Sequence, residues 1–181
     1  MVYLDADGNS QDAELLYYKS ADAAAVAFSE NIYGFSLFAM LEYSTEIYYI
    51  SVNGSKRYYY TKPAVGSPHK SSGIDPNHVP RYGIQVAYAH THPHSNTFSK
   101  PDYNYANSHS IDAYVIGPNL WVQKYSYYDD EVTKISMATV KECGVIQPER
   151  LNFLRSIWES HFVDGVCPNG FNCIIDSWPN Q

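Results

Sequence analysis

The sequence runs to 181 residues, 45% of them hydrophobic, with 12 Lys and Arg against 19 Asp and Glu for a formal net charge of −7. That length suits one domain with a sizeable core, and an acidic balance with no basic stripe argues against a nucleic-acid or anionic-membrane surface. The most apolar stretch, Tyr33 to Ile50, is broken by Glu42 and Glu46, and Met1 is soon followed by the polar Asp5-Ala6-Asp7-Gly8-Asn9, so neither a membrane span nor a signal peptide is expected.

Residues 1–19 read as a polar leader. Ser20, Asp22 and the alanine run up to Phe28 supply a cap, a first-turn acid and good helix formers, which predicts a helix. Residues near Ala39 to Val52 and Lys56 to Thr61 are rich in Tyr and Ile, and Asn53-Gly54 between them tolerates positive φ at both positions, so an antiparallel hairpin is expected. From Pro63 to Pro80 no apolar period survives, and the segment reads as one long loop. A strand over Tyr82 to Ala89 and a short helix over Pro101 to His109 follow. Strands near Ala113 to Ile116 and Leu120 to Tyr125 are joined by Gly117-Pro118-Asn119, and a further strand spans Val132 to Met137. Pro148-Glu149-Arg150 opens a helix carrying Leu151, Leu154, Trp158 and His161 at helical spacing. The expected fold class is α/β or α+β, with a mixed, mostly antiparallel sheet flanked by helices. Residues 20–137 form the main domain, with the helix and Cys-containing tail of 138–181 packed on it.

Tyrosine occurs 18 times, often in runs such as Arg57-Tyr58-Tyr59-Tyr60, where it reads as a strand former with a wet hydroxyl end in preference to a sugar- or protein-binding face. Cys167 and Cys173 flank the turn-rich Pro168-Asn169-Gly170, so a bridge and two free thiols both stay open, while Cys143 stands apart. No paired Cys or His spacing suggests a second zinc site.

The chemistry concentrates in His90-Thr91-His92-Pro93 and Ser99-Lys100-Pro101-Asp102. Residues two apart on a strand share a face, so the two imidazoles converge while Thr91 turns away. Asp102 supplies a third ligand if the loop folds back, and two nitrogens plus one oxygen leave the fourth position of a tetrahedral Zn²⁺ open to water, the mark of catalytic zinc. Ser99-x-x-Asp102 is also a capping box, and the two roles are compatible because a cap holds its carboxylate rigidly. His94 stands close enough to offer another ligand or a supporting contact.

The order strand, His90-x-His92-Pro93, Ser99-x-x-Asp102, helix resembles the JAMM motif of the MPN-type metalloproteases. With Glu42-Tyr43-Ser44-Thr45-Glu46-Ile47-Tyr48-Tyr49, Phe98-Ser99 and the Ala113 to Tyr125 hairpin, it is similar to the JAMM-like domains at the C-terminal ends of Rhs-repeat polymorphic toxins, over roughly residues 20 to 137. The resemblance implies a JAMM/cytidine-deaminase-like fold, with zinc on His90, His92 and Asp102. Glu42 would hold the attacking water and shuttle its proton, and Ser99 would donate to the oxyanion. Glu46, four residues on, competes with Glu42 for its role. Six residues separate His92 from Ser99, where the deubiquitinase-type motif has seven. The implied activity is zinc-dependent hydrolysis of a peptide or isopeptide bond by a secreted effector or toxin domain delivered within a larger exported protein. Its partners would be a protein substrate and a cognate immunity protein, with no nucleic acid and no membrane. A non-catalytic interaction module and a zinc-dependent deamidase are the other readings.

Overall fold

A computed structural model describes residues 17–71, 73, 79 and 82–139, together with the backbone of a two-residue ladder between β1 (Tyr3–Leu4) and β2 (Ser10–Gln11). The expected helix from Pro148 and the three cysteines lie outside the described residues.

Helix α1 (Ala21–Ala39) starts where its sequence signals place it: the Ser20 side chain accepts from the Ala23 N–H at 3.1 Å. It runs on well past Phe28. Phe28, Ile32, Tyr33, Ser36 and Ala39 continue a buried stripe at three- and four-residue spacing, so Ala39, expected near the start of a strand, is the last residue of the helix. Met40, in the left-handed region at φ 55°, ends it.

The chain then enters β3 (Tyr43–Val52), which turns through Asn53 and Gly54, at φ 51° and 80°, into β4 (Ser55–Tyr60). Both turn residues hold the positive φ that the dipeptide favours. The stretch expected to be one loop from Pro63 begins otherwise, because Ala64–Val65 (β5) pairs with Tyr43 and Ser44 on the edge of β3 beyond the end of β4. A strand start on that edge has backbone groups to satisfy, and a short segment without apolar period can do so.

Next come β6 (Ile84–Thr91), α2 (Lys100–His109), β7 (Asp112–Ile116), β8 (Trp121–Ser126) and β9 (Glu131–Met137). The strand order is β4-β3-β6-β7-β8-β9, antiparallel throughout except for β6 and β7, which run parallel because α2 carries the chain across between them. The expected mixed, mostly antiparallel α+β sheet is what forms. Alternation splits β6 between two cores. Ala87 and Ala89 pack with Phe28 and Ile32 of α1 on one face, while Tyr88 packs with Phe98, Ala106, Val115 and Tyr125 on the other. No described helix is long and apolar enough to cross a membrane.

Candidate metal centre

The site forms where the C-terminal end of β6 meets the N-terminus of α2. His90 shares the α2 face with Tyr88, whose ring stacks on it at 5.2 Å and 12°. Thr91 turns to the opposite face, where its hydroxyl accepts from the Tyr43 N–H at 2.9 Å and donates to Ser36 Oγ at 2.7 Å. His92 lies one residue past the strand. Its N–H donates to the Ile116 carbonyl at 2.8 Å, so the ladder still holds its backbone.

Four buried side chains converge there. His90 Nε2 and His92 Nε2 are 3.0 Å apart, and Asp102 Oδ2 lies 3.3 Å from the first and 3.7 Å from the second. Nitrogen and oxygen ligands around one tetrahedral ion sit about 3.3–3.6 Å from each other. The three separations bracket that range, so His90, His92 and Asp102 form a buried group that can hold a metal ion. Glu42 completes the cluster, its Oε1 3.8 Å from His92 Nε2.

Two of the three candidate ligands are held from behind. His92 Nδ1 is 2.9 Å from the Thr97 carbonyl, an acceptor only, so that nitrogen carries the proton and Nε2 keeps a free lone pair facing Asp102. Asp102 sits in the first turn of α2, where its Oδ2 accepts from the Ser99 N–H at 2.6 Å and from the Ser99 hydroxyl at 2.7 Å. The capping box is therefore present, with the hydroxyl hydrogen directed at the carboxylate. His90 Nδ1, by contrast, is buried without a hydrogen bond among the described residues, which costs about 1–3 kcal/mol.

The electrostatics differ from group to group. Burial lowers His92 to about 4, with the neighbouring His90 adding to the effect, so its imidazole is neutral at pH 7. For Asp102 burial alone would raise the pKa, but hydrogen bonds from His90 and Ser99 outweigh it and hold the group well below the usual carboxylate range. Glu42 has few such partners. Burial raises it to about 7, the charge of His90 opposing and that of Asp102 adding. No protein-family model and no curated protein matches this chain. The chemistry is therefore read from the side chains themselves: two imidazoles and a carboxylate for a cation, and beside them a second carboxylate poised to take or give a proton near neutral pH.

The remaining candidates separate clearly. Glu46 lies across the ladder from Tyr88 and accepts from the Tyr48 hydroxyl at 2.5 Å and the Tyr105 hydroxyl at 3.3 Å, so its carboxylate is engaged away from the imidazoles. Glu42 precedes β3 instead of lying on it. Its N–H donates to the Ser67 carbonyl and its carbonyl accepts from the Gly66 N–H at 3.0 and 2.7 Å, which fixes its backbone two residues before Ser44, the partner of His90 across the ladder. His94 is exposed and faces His69 at a ring separation of 5.5 Å. Tyr88 and Thr97 are supporting residues that the motif alone does not mark. The two-residue period from His90 identifies Tyr88, whereas nothing in the sequence singles out a carbonyl at Thr97.

Proposed function

We propose that this chain is a zinc-dependent hydrolase of amide bonds, a JAMM-like peptidase or isopeptidase on a JAMM/cytidine-deaminase-like sheet. The observation that carries the reading is Glu42: a carboxylate raised to about 7 by burial, 3.8 Å from His92, which with His90 and Asp102 forms a group that could hold a metal ion. A general base works best with a pKa near the operating pH. Imidazole, imidazole and carboxylate form a donor set that suits zinc and leaves one tetrahedral position free. Zinc bound there would polarise a carbonyl and make water a stronger nucleophile at neutral pH.

The protein's own groups supply the rest. Thr97 and Ser99 fix the orientation of His92 and Asp102 before substrate arrives, which removes that reorganisation from the reaction. Glu42 accepts the proton of the attacking water and returns it to the departing amine. Ser99, at the exposed start of α2, rotates its hydroxyl from Asp102 toward the developing oxyanion. The wider setting rests on the likeness of residues 42–49, the His-Thr-His-Pro segment and the 113–125 hairpin to the toxin-borne domains. It is an effector domain delivered within a larger exported protein, acting on a protein substrate and restrained by an immunity protein.

Elemental analysis of the purified chain tests the core of this reading. About one zinc per chain is expected, falling to background in His90→Ala and in Asp102→Ala. Metal content unchanged by both substitutions would overturn it.

A further inference from the structure

We infer that His69 and His94 form a second, exposed site for a divalent transition metal beside the buried one. His69 lies in the turn closed by the Ser67 and Lys70 bridge, and His94 lies in the loop between His92 and α2. The fold brings together two imidazoles that are far apart in sequence. Their ring centroids are 5.5 Å apart with planes inclined at 38°. Two imidazoles that bind one cation through nitrogens at about 2.0–2.1 Å, at a tetrahedral angle, have centroids about 5 Å apart. The buried pair, His90 and His92, shows 4.6 Å and 71°. Both centroid separations lie close to that spacing, and both rings of the outer pair are exposed.

Imidazole nitrogen selects the cation class: zinc, nickel and copper bind well, magnesium and calcium do not. With two protein ligands and the rest water, and with the Lys70 ammonium next in the chain, this site is weaker than the buried one. Occupying it would have a defined structural effect. The Ser67 carbonyl and Gly66 N–H bond to the backbone of Glu42, and His94 follows His92 by two residues. A cation shared by His69 and His94 therefore clips the segment that anchors Glu42 to the loop that carries His92.

Calorimetric titration of zinc and nickel into the 181-residue chain decides the matter, with wild type, His69→Ala and His94→Ala compared in the presence of excess magnesium. Wild type should show a weaker binding class that magnesium does not displace. Each single substitution should weaken it by more than about tenfold, since even losing a group behind a ligand costs that much, and combining them should add nothing further. The tight class should persist in both variants. Retention of the weaker class in either variant, or its absence from wild type, would overturn the inference. Loss of the tight class alone in His92→Ala would support it, because the two sites would then be independent. A wild-type chain with the weak class and no tight one would refute the zinc reading of the buried group and leave this one standing.

Discussion

Glu42 and Glu46 stand four residues apart, yet the fold sends their carboxylates to different partners: His92 for one, Tyr48 and Tyr105 for the other. Glu42→Gln should keep the fold and the metal while lowering hydrolysis by roughly 10²- to 10⁴-fold, the usual cost of removing a general base. Glu46→Gln should leave metal content and rate nearly unchanged and lose only about 1 kcal/mol of stability from its tyrosine contacts. Zinc content and turnover of both variants check this, and selective inactivation by Glu46→Gln would move the base to Glu46. Burial of Glu42 has a second consequence. A carboxyl raised from 4.5 to about 7 holds its proton more tightly when folded, so its contribution to stability is full at low pH and lost as pH rises through about 7. Metal-free Glu42→Gln, which cannot ionise, should therefore gain on the order of 1–3 kcal/mol over wild type at pH 8. At pH 5 it should gain little. Parallel melting curves for the two proteins across that range would contradict a raised Glu42.

Six residues lie between His92 and Ser99 in the loop that joins β6 to α2, and the geometry of this loop is fixed from outside. The Asn96 side chain accepts from the Asn119 N–H at 2.8 Å, and the Gln123 amide donates to the Asn96 carbonyl. Gly117 permits the approach: a Cβ there would lie 2.2 Å from the Ser95 carbonyl oxygen and 2.7 Å from Asn96 Cα, both backbone atoms. Gly117→Ala must push the loop away and with it the Thr97 carbonyl that orients His92. A drop in zinc affinity of about 10- to 100-fold is expected, the range seen when a ligand's supporting hydrogen bond is lost. Competition with a chromophoric chelator measures it; unchanged affinity would mean that the loop does not transmit its position to His92. Helix α1 is longer than the capped alanine run that starts it. Its buried stripe continues to Ala39, and a helical period and a strand-like apolar run overlap in that stretch until the turn at Met40 is known.

Across the whole molecule, the site exists only when β6, α2 and the start of β3 are assembled, since each supplies at least one of its four side chains. A cation that binds this assembly and not the unfolded chain stabilises the fold by mass action, about 4 kcal/mol when free metal exceeds its Kd a thousandfold. For a chain of this size that is a rise in Tm on the order of 10 °C. Calorimetry with zinc and then with excess chelator should show it in wild type and a much smaller rise in His92→Ala. Equal melting temperatures in both conditions for wild type would mean that the buried group does not take up metal.

Sequence alone determined the parts that depend on neighbours along the chain. The shared face of His90 and His92, the Ser99 and Asp102 capping box, the Asn53-Gly54 turn, the Ser20 cap and the alternation that turns Thr91 from the site all follow from strand and helix periods and local hydrogen bonds, and all are found. Only the tertiary structure decided which glutamate faces His92, that β5 pairs with β3, that the Thr97 carbonyl holds His92, and that His69 meets His94. The strand period cannot choose, because Glu42 and Glu46 fall on one face at even spacing, and it is the register, with Ser44 opposite His90 and Glu46 opposite Tyr88, that leaves Glu42 at the height of His92. The others are contacts closed by loops, where no side-chain period operates and partners are chosen by the packing of the whole sheet.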